Sequence, residues 1–119
     1  MEHYHSLIIK DSNTDTFLMD YDNDFDEPRL FELTNSNFEQ SLLNLLKNLD
    51  LSLSSYSKIS DISHVDDNNV ETIWLIYTEQ VQESNNLKKY SKKEFLNNIQ
   101  NSSILPEITK NLIINNINA

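Results

Sequence analysis

The chain has 119 residues, a formal net charge of −10, 38% hydrophobic residues, and neither cysteine nor glycine. This length suits one domain, residues 1–119, with a real hydrophobic core. The acidic balance argues against direct nucleic-acid binding, since phosphate backbones would be repelled. Lack of cysteine excludes disulfides, thiolate metal sites and thiol nucleophiles; lack of glycine excludes P-loop and dinucleotide phosphate cradles.

In chain order, HSLIIK (5–10) reads as a strand and TFLMDY (16–21) as its hairpin partner across DSNTD. Residues 22–27 form an acidic loop closed by Pro28, and 30–33 a short third strand. A helix is expected over 37–50: Phe38, Leu42, Leu45, Leu46 and Leu49 fall on one face, with Ser36 or Asn37 as N-cap. Residues 51–53 and 56–65 are expected to be extended, with Ile59 and Ile62 inward. VETIWLIYTEQV (70–81) is the strongest strand, being β-branched and aromatic.

Alternation there places Ile73, Leu75 and Tyr77 on one face and Trp74, Ile76 and Thr78 on the other. Apolar residues on both faces predict a central strand covered on each side. Ser91-Lys92-Lys93-Glu94 is a capping box opening a helix whose apolar side is Phe95, Leu96 and Ile99. Pro106 starts a last helix with Ile108, Leu112 and Ile113 inward and an NNIN tail that frays. Without glycine, Asn, Asp, Ser and Pro must make the turns, as in Asp11-Ser12-Asn13, Asp66-Asp67-Asn68-Asn69 and Ser84-Asn85-Asn86. No secretory signal is evident, and no apolar run nears the roughly 20 residues that span a membrane, so a soluble cytoplasmic protein without membrane contact is expected.

Three groups of residues are candidates for chemistry. The run Asp20-Tyr21-Asp22-Asn23-Asp24-Phe25-Asp26-Glu27 alternates acids as calcium loops do. A calcium loop starting at Asp20 would need glycine sixth and glutamate twelfth, where Phe25 and Phe31 stand. Its acids and interleaved rings suit contact with a basic, partly apolar protein surface instead, with Asp20, Tyr21, Asp22, Asp24, Phe25, Asp26 and Glu27 as contact residues. His3 and His5 share a strand face, a spacing more common in a solvated strand start than in a zinc site. Trp74 is read first as core, with a stacking role in a ligand cleft as its minority reading.

Four stretches carry a family resemblance. HSLIIKDSNTDTFLMDY looks like the opening hairpin of a Nudix domain, and FEQSLLNLLKNLDLSLSSY like its helix and following strand. ETIWLIYTEQVQ looks like the next central strand, and KKYSKKEFLNNIQNSSILPEITKNL like the closing segment. The resemblance implies an α/β (α+β) fold with a mixed sheet sandwiched between helices. It also places Tyr90 where a Nudix aromatic often lines the cleft mouth.

The family's hydrolytic box carries a glycine loop, an Arg-Glu pair and two consecutive glutamates that gather magnesium. Aligning Asp50-Leu51 with the box's final glycine-hydrophobic pair puts Leu43-Asn44 at Arg-Glu and Lys47-Asn48 at the glutamates. Sliding by one gives Asn44-Leu45 and Asn48-Leu49. Neither register leaves a carboxylate at a metal-ligand position. The expectation is therefore a non-catalytic Nudix-like domain, with no metal and no cofactor, that binds a protein with a basic surface or a nucleotide-like metabolite. The alternative is a small acidic immunity or phage-type inhibitor that blocks a basic surface on a toxin or nuclease. A third reading, an enzyme using acids of 20–27, lacks arginine or glycine for a diphosphate.

Overall fold

A computed structural model describes residues 2–34, 37–81 and 87–118. Its central pair is β1 (Glu2–Asp11) and β7 (Asn69–Gln80), which run parallel, Leu7 opposite Trp74 and Ile9 opposite Ile76. Parallel neighbours need a long crossover, and here everything between them in sequence supplies it. β2 (Thr16–Leu18) pairs antiparallel with the end of β1, and β8 (Lys89–Tyr90) lies outside β2. β5 (Phe31–Leu33) pairs with the first half of β1, and β6 (Leu51–His64) forms the far edge beside β7. β3 (Asp20–Asp22) and β4 (Glu27–Arg29) make a separate hairpin.

Alternation along the central strands builds two cores. Leu7, Ile9 and Ile76 meet α1 (Phe38–Asn48) through Leu42 and Leu46, all fully buried or nearly so. Ile8 and Ile73 face the other way, onto α2 (Lys92–Gln100) and α3 (Glu107–Asn118) through Phe95, Ile99 and Ile113. β7 is thus a central strand covered on both faces, with Trp74 and Ile76 on the α1 side and Ile73 and Leu75 on the other. The fold is the expected mixed sheet between helices.

Local chemistry sets the boundaries. Asn37 caps α1, its side chain accepting from the Gln40 amide at 3.4 Å, while Ser36 lies outside the described residues. The Ser91–Glu94 capping box is complete in both directions. In a chain without glycine, left-handed backbone falls to Asp15, Asp26, Asp50 and Asn68, residues whose short polar side chains tolerate it. The Ser84-Asn85-Asn86 turn lies outside the described residues.

Several expectations are corrected. The strand expected over 16–21 ends at Leu18, and Asp20–Asp22 turns into the hairpin with Glu27–Arg29. The acidic loop expected over 22–27 is the turn of this hairpin, residues 23–26, with Asp22 and Glu27 at the strand ends. Pro28 sits inside β4, tolerated because a two-stranded hairpin has a free edge.

Leu51–His64 is one strand, with register shifts between Leu53 and Ser55 and between Lys58 and Ser60. Each shift changes which parity faces the core. That is how Leu51 and Leu53 join the α1 side while Ile59 and Ile62, an odd and an even residue, both join the other. Ile108 points outward, 52% exposed, because Thr109 takes the inward position and donates to a buried Glu71 carboxylate at 2.8 Å. The NNIN tail is helical through Asn118. Among the described residues no helix is long and apolar enough to cross a membrane.

Candidate functional site

Three acids of the β3–β4 hairpin, Asp22, Asp26 and Glu27, are held by partners within the protein. Asp22 Oδ1 accepts from the amides of Asp24 (2.9 Å) and Phe25 (3.0 Å), and its Oδ2 pairs with Arg29 at 3.2 Å. The Tyr21 hydroxyl donates to Asp26, which raises the tyrosine's pKa. Glu27 is turned toward the α2–α3 connection and accepts from Ser102 Oγ (3.1 Å), Ser103 N (3.0 Å) and Ser103 Oγ (2.8 Å). Burial there pushes its carboxyl up, but those bonds outweigh it and hold the pKa below the usual glutamate range. Asp20 and Asp24 keep carboxylates facing solvent, beside Tyr21 at 47% and Phe25 at 60% exposure.

A cavity lies beside the first strand of this hairpin. It is about 350 Å³, draws on residues of both cores and is lined by Tyr21, Phe31, Leu49, Leu87, Lys88 and Tyr90, with the buried Met19 and the exposed Asp20. That volume suits a small ring compound. Tyr21 comes from β3, Phe31 from β5, Leu49 from the end of α1 and Tyr90 from β8, so the cavity exists only once these four are assembled. Lys88 extends over the Tyr90 ring, its ammonium 5.3 Å from the centroid. A second hollow, among Ser6, Leu30, Asn98 and Leu105, is about 30 Å³ and has room for only a water or two.

Tyr90, expected at a cleft mouth, and Asp20 and Tyr21, expected at a protein contact, thus line one cavity. Trp74 does not. Its ring stacks on Phe38 at 4.3 Å on the α1 face, and its indole Nε1 donates to His5 Nδ1 at 3.0 Å. Both histidines of the strand start are committed as well, since His3 Nε2 lies 2.7 Å from Thr72 Oγ1. Among the described residues no three His, Asp or Glu side chains are grouped so as to hold a metal ion.

Sequence reasoning missed the cavity's Phe31, Leu49 and Leu87, for which only tertiary placement gives a signal. It also missed Glu71, which did carry one, as a lone acid inside the apolar VETIWLIY run. Glu71 is 1% exposed and accepts from Ser6 Oγ, Thr109 Oγ1 (2.8 Å) and His64 Nε2 (2.9 Å). Burial, and next the Glu71 charge, raise the pKa of the nearby Tyr4 hydroxyl. This buried network ties α3 to the sheet.

The exposed face of α1 carries Glu39, Gln40, Leu43, Asn44, Lys47 and Asn48. Asp50 follows with φ 57°, a backbone position that favours glycine, directly before β6.

The layering of one helix on one face of a mixed sheet and two on the other is a Nudix-like fold. A hydrolase of the NUDIX family from Clostridium perfringens aligns over 98% of this chain and 96% of its own length, with a TM-score of 0.57 and 14% identity. An ADP compounds hydrolase aligns over 97% of this chain and 73% of its own length, with a TM-score of 0.62 and 7% identity. At such identities the likeness is one of fold. No family model matches the sequence, and no curated protein matches it.

Proposed function

We propose that this chain is a Nudix-like domain that acts by binding and not by hydrolysis. The solvent face of α1 carries the reading. The left-handed backbone at Asp50 supports the register in which this residue stands for the final glycine of the hydrolytic box. That register puts Leu43-Asn44 and Lys47-Asn48 where the box has its Arg-Glu pair and its two glutamates, all four exposed. A magnesium ion prefers carboxylate oxygens. This face offers amides, a leucine and a cation that would repel the ion. Its only acid within α1 is Glu39, more than a turn upstream.

The 350 Å³ cavity gives such a domain somewhere to bind, and the neighbour whose name concerns ADP compounds makes a nucleotide-like metabolite a natural occupant. The test is incubation with Mg²⁺ or Mn²⁺ and a panel of nucleoside di- and triphosphates and ADP-linked compounds, followed by phosphate release and chromatography. No turnover above the protein-free control is expected. Metal-dependent turnover that follows the protein through purification, and disappears in an Asn44→Ala/Asn48→Ala variant, would overturn the reading.

A second reading keeps the binding role but makes a basic protein surface the target, as for an acidic inhibitor. The exposed Asp20 and Asp24 and the 60% exposed Phe25 of the same hairpin favour it. A partner of this kind should be released by moderate salt and lost in an Asp20→Asn/Asp24→Asn/Phe25→Ala variant.

A further inference from the structure

We infer that β6 is a self-association surface. Two copies of this chain pair their β6 edges antiparallel about a two-fold axis between Ile59 and Ser60, which sets Lys58 of each copy opposite Asp61 of the other. Such pairing is independent of whether the chain hydrolyses or only binds a small molecule.

β6 is an outermost strand of the sheet, with β7 on one side only. A free edge leaves main-chain donors and acceptors that a strand of another chain can complete. The shifts in its register decide which strand fits. Residues paired across two strands share a side of the sheet, so the β7 partners assign the sides of β6. Tyr56, Lys58, Asp61 and Ser63 lie opposite even-numbered residues of β7, on the α1 side. Ser55, Ser57, Ser60, Ile62 and His64 lie opposite odd-numbered ones, on the side of α2 and α3, where Ile59 also packs.

The inward parity thus changes between Lys58 and Ser60, and a straight strand cannot follow it, which is how a bulge blunts an edge against most partners. A two-fold copy carries the same change in the matching place. With the axis between Ile59 and Ser60, Lys58 meets Asp61, Ser57 meets Ile62 and Tyr56 meets Ser63, each pair on one side of the sheet. Moving the axis by half a residue opposes residues of different sides. Moving it by a whole residue leaves Lys58 and Asp61 opposite neutral ones.

The charges agree with this register. Lys58 and Asp61 are the only Lys, Arg, Asp or Glu in β6, half-exposed and 2.8 Å apart within one copy. Pairing sets the two ion pairs side by side with alternating sign, so neither has to break. β6 is also balanced in these charges within a chain of net charge −10. The rest of the surface repels at long range, and salt screens that repulsion beyond a Debye length of about 8 Å at physiological ionic strength.

The experiment is sedimentation equilibrium of the intact chain from micromolar to millimolar protein, at low and at physiological salt. A monomer–dimer equilibrium is expected, shifted toward dimer by the added salt. Lys58→Glu sets acid against acid twice and should weaken the dimer roughly tenfold. Asp61→Lys should weaken it as much, although it makes the chain less acidic; net charge alone would act the other way. Mixed together, the two variants regain opposite charges at both positions and should form a heterodimer about as tight as the native dimer, read by native mass spectrometry. Urea midpoints check that each variant folds. Amide exchange of the unaltered chain, slowed over residues 55–64 as concentration rises, reads the same surface without any substitution.

A monomer at every concentration and salt overturns the inference. So does a dimer that neither folded variant weakens, a mixture no tighter than either variant alone, or exchange slowed only outside 55–64.

Discussion

Glu71 shows how much one side chain can organise. Its carboxylate sits in the interior of the sheet and survives there because Ser6, His64 and Thr109 donate to it from three other elements. Glu71→Ala should cost about 3 kcal/mol, since three buried donors lose their acceptor at once; urea denaturation measures it. His5 is a second case. Burial first, and then the neighbouring His3, lower its pKa from 6.5. The unfolded chain therefore takes up this proton before the folded one does. Stability held by neutral His5 is complete above pH 6.5 and is lost as pH falls from there through the lowered folded value. Protonation at Nδ1 would also break the bond from Trp74. Urea midpoints should fall between pH 7.5 and 5.5, and His5→Gln should flatten that part of the profile. Neither residue announced its partners, because a local sequence pattern gives the face of a strand but not what stands opposite.

Among the elements, α1 and α2 were the most legible. The five apolar positions of α1 occur at helical spacing, and the Ser91–Glu94 box is visible as a tetrapeptide. Leu46→Ala should cost about 2–5 kcal/mol, because Leu46 is 1% exposed between α1 and the sheet. Ser91→Ala should cost only about 1 kcal/mol, since it removes one cap bond at an exposed helix end; thermal denaturation separates the two. α3 was legible at Leu112 and Ile113, which pack inward, but not at Ile108 or in its last turn. Its Ile108 looked inward on hydrophobicity alone, and the buried Glu71 decided in favour of Thr109. β6 shows a related limit. Two register shifts reset its inward parity, and bulges leave little trace in a Ser-rich strand. As a 14-residue edge strand it also gains from them, since bulges blunt an otherwise open pairing surface.

At the scale of the molecule, charge and fold meet at one end of the sheet. The acids of the β3–β4 hairpin stand beside the aromatic cavity, and the cations nearby are bound to partners or laid over a ring. A net charge of −10 keeps copies apart at neutral pH and low salt. Near the isoelectric point, about 4.5, that repulsion vanishes, so light scattering should rise sharply there and fall again on return to pH 7. The function proposed rests on a fold shared with hydrolases and on the register proposed for α1, whose exposed face carries Leu43, Asn44, Lys47 and Asn48.

Composition and periodicity by themselves determined the two-sided burial of β7, the helix positions and the need for Asp and Asn at left-handed turns, while the class of fold came from the resemblance of four stretches to a known family. These depend on neighbours within a few residues, which a linear chain displays. The cavity, the Glu71 network and the self-satisfied hairpin were decided only by tertiary structure. Each brings together residues dozens of positions apart, such as Ser102 with Glu27 or Tyr90 with Tyr21. A side chain's partners, and so its freedom to meet a ligand, are set by packing that no local pattern encodes.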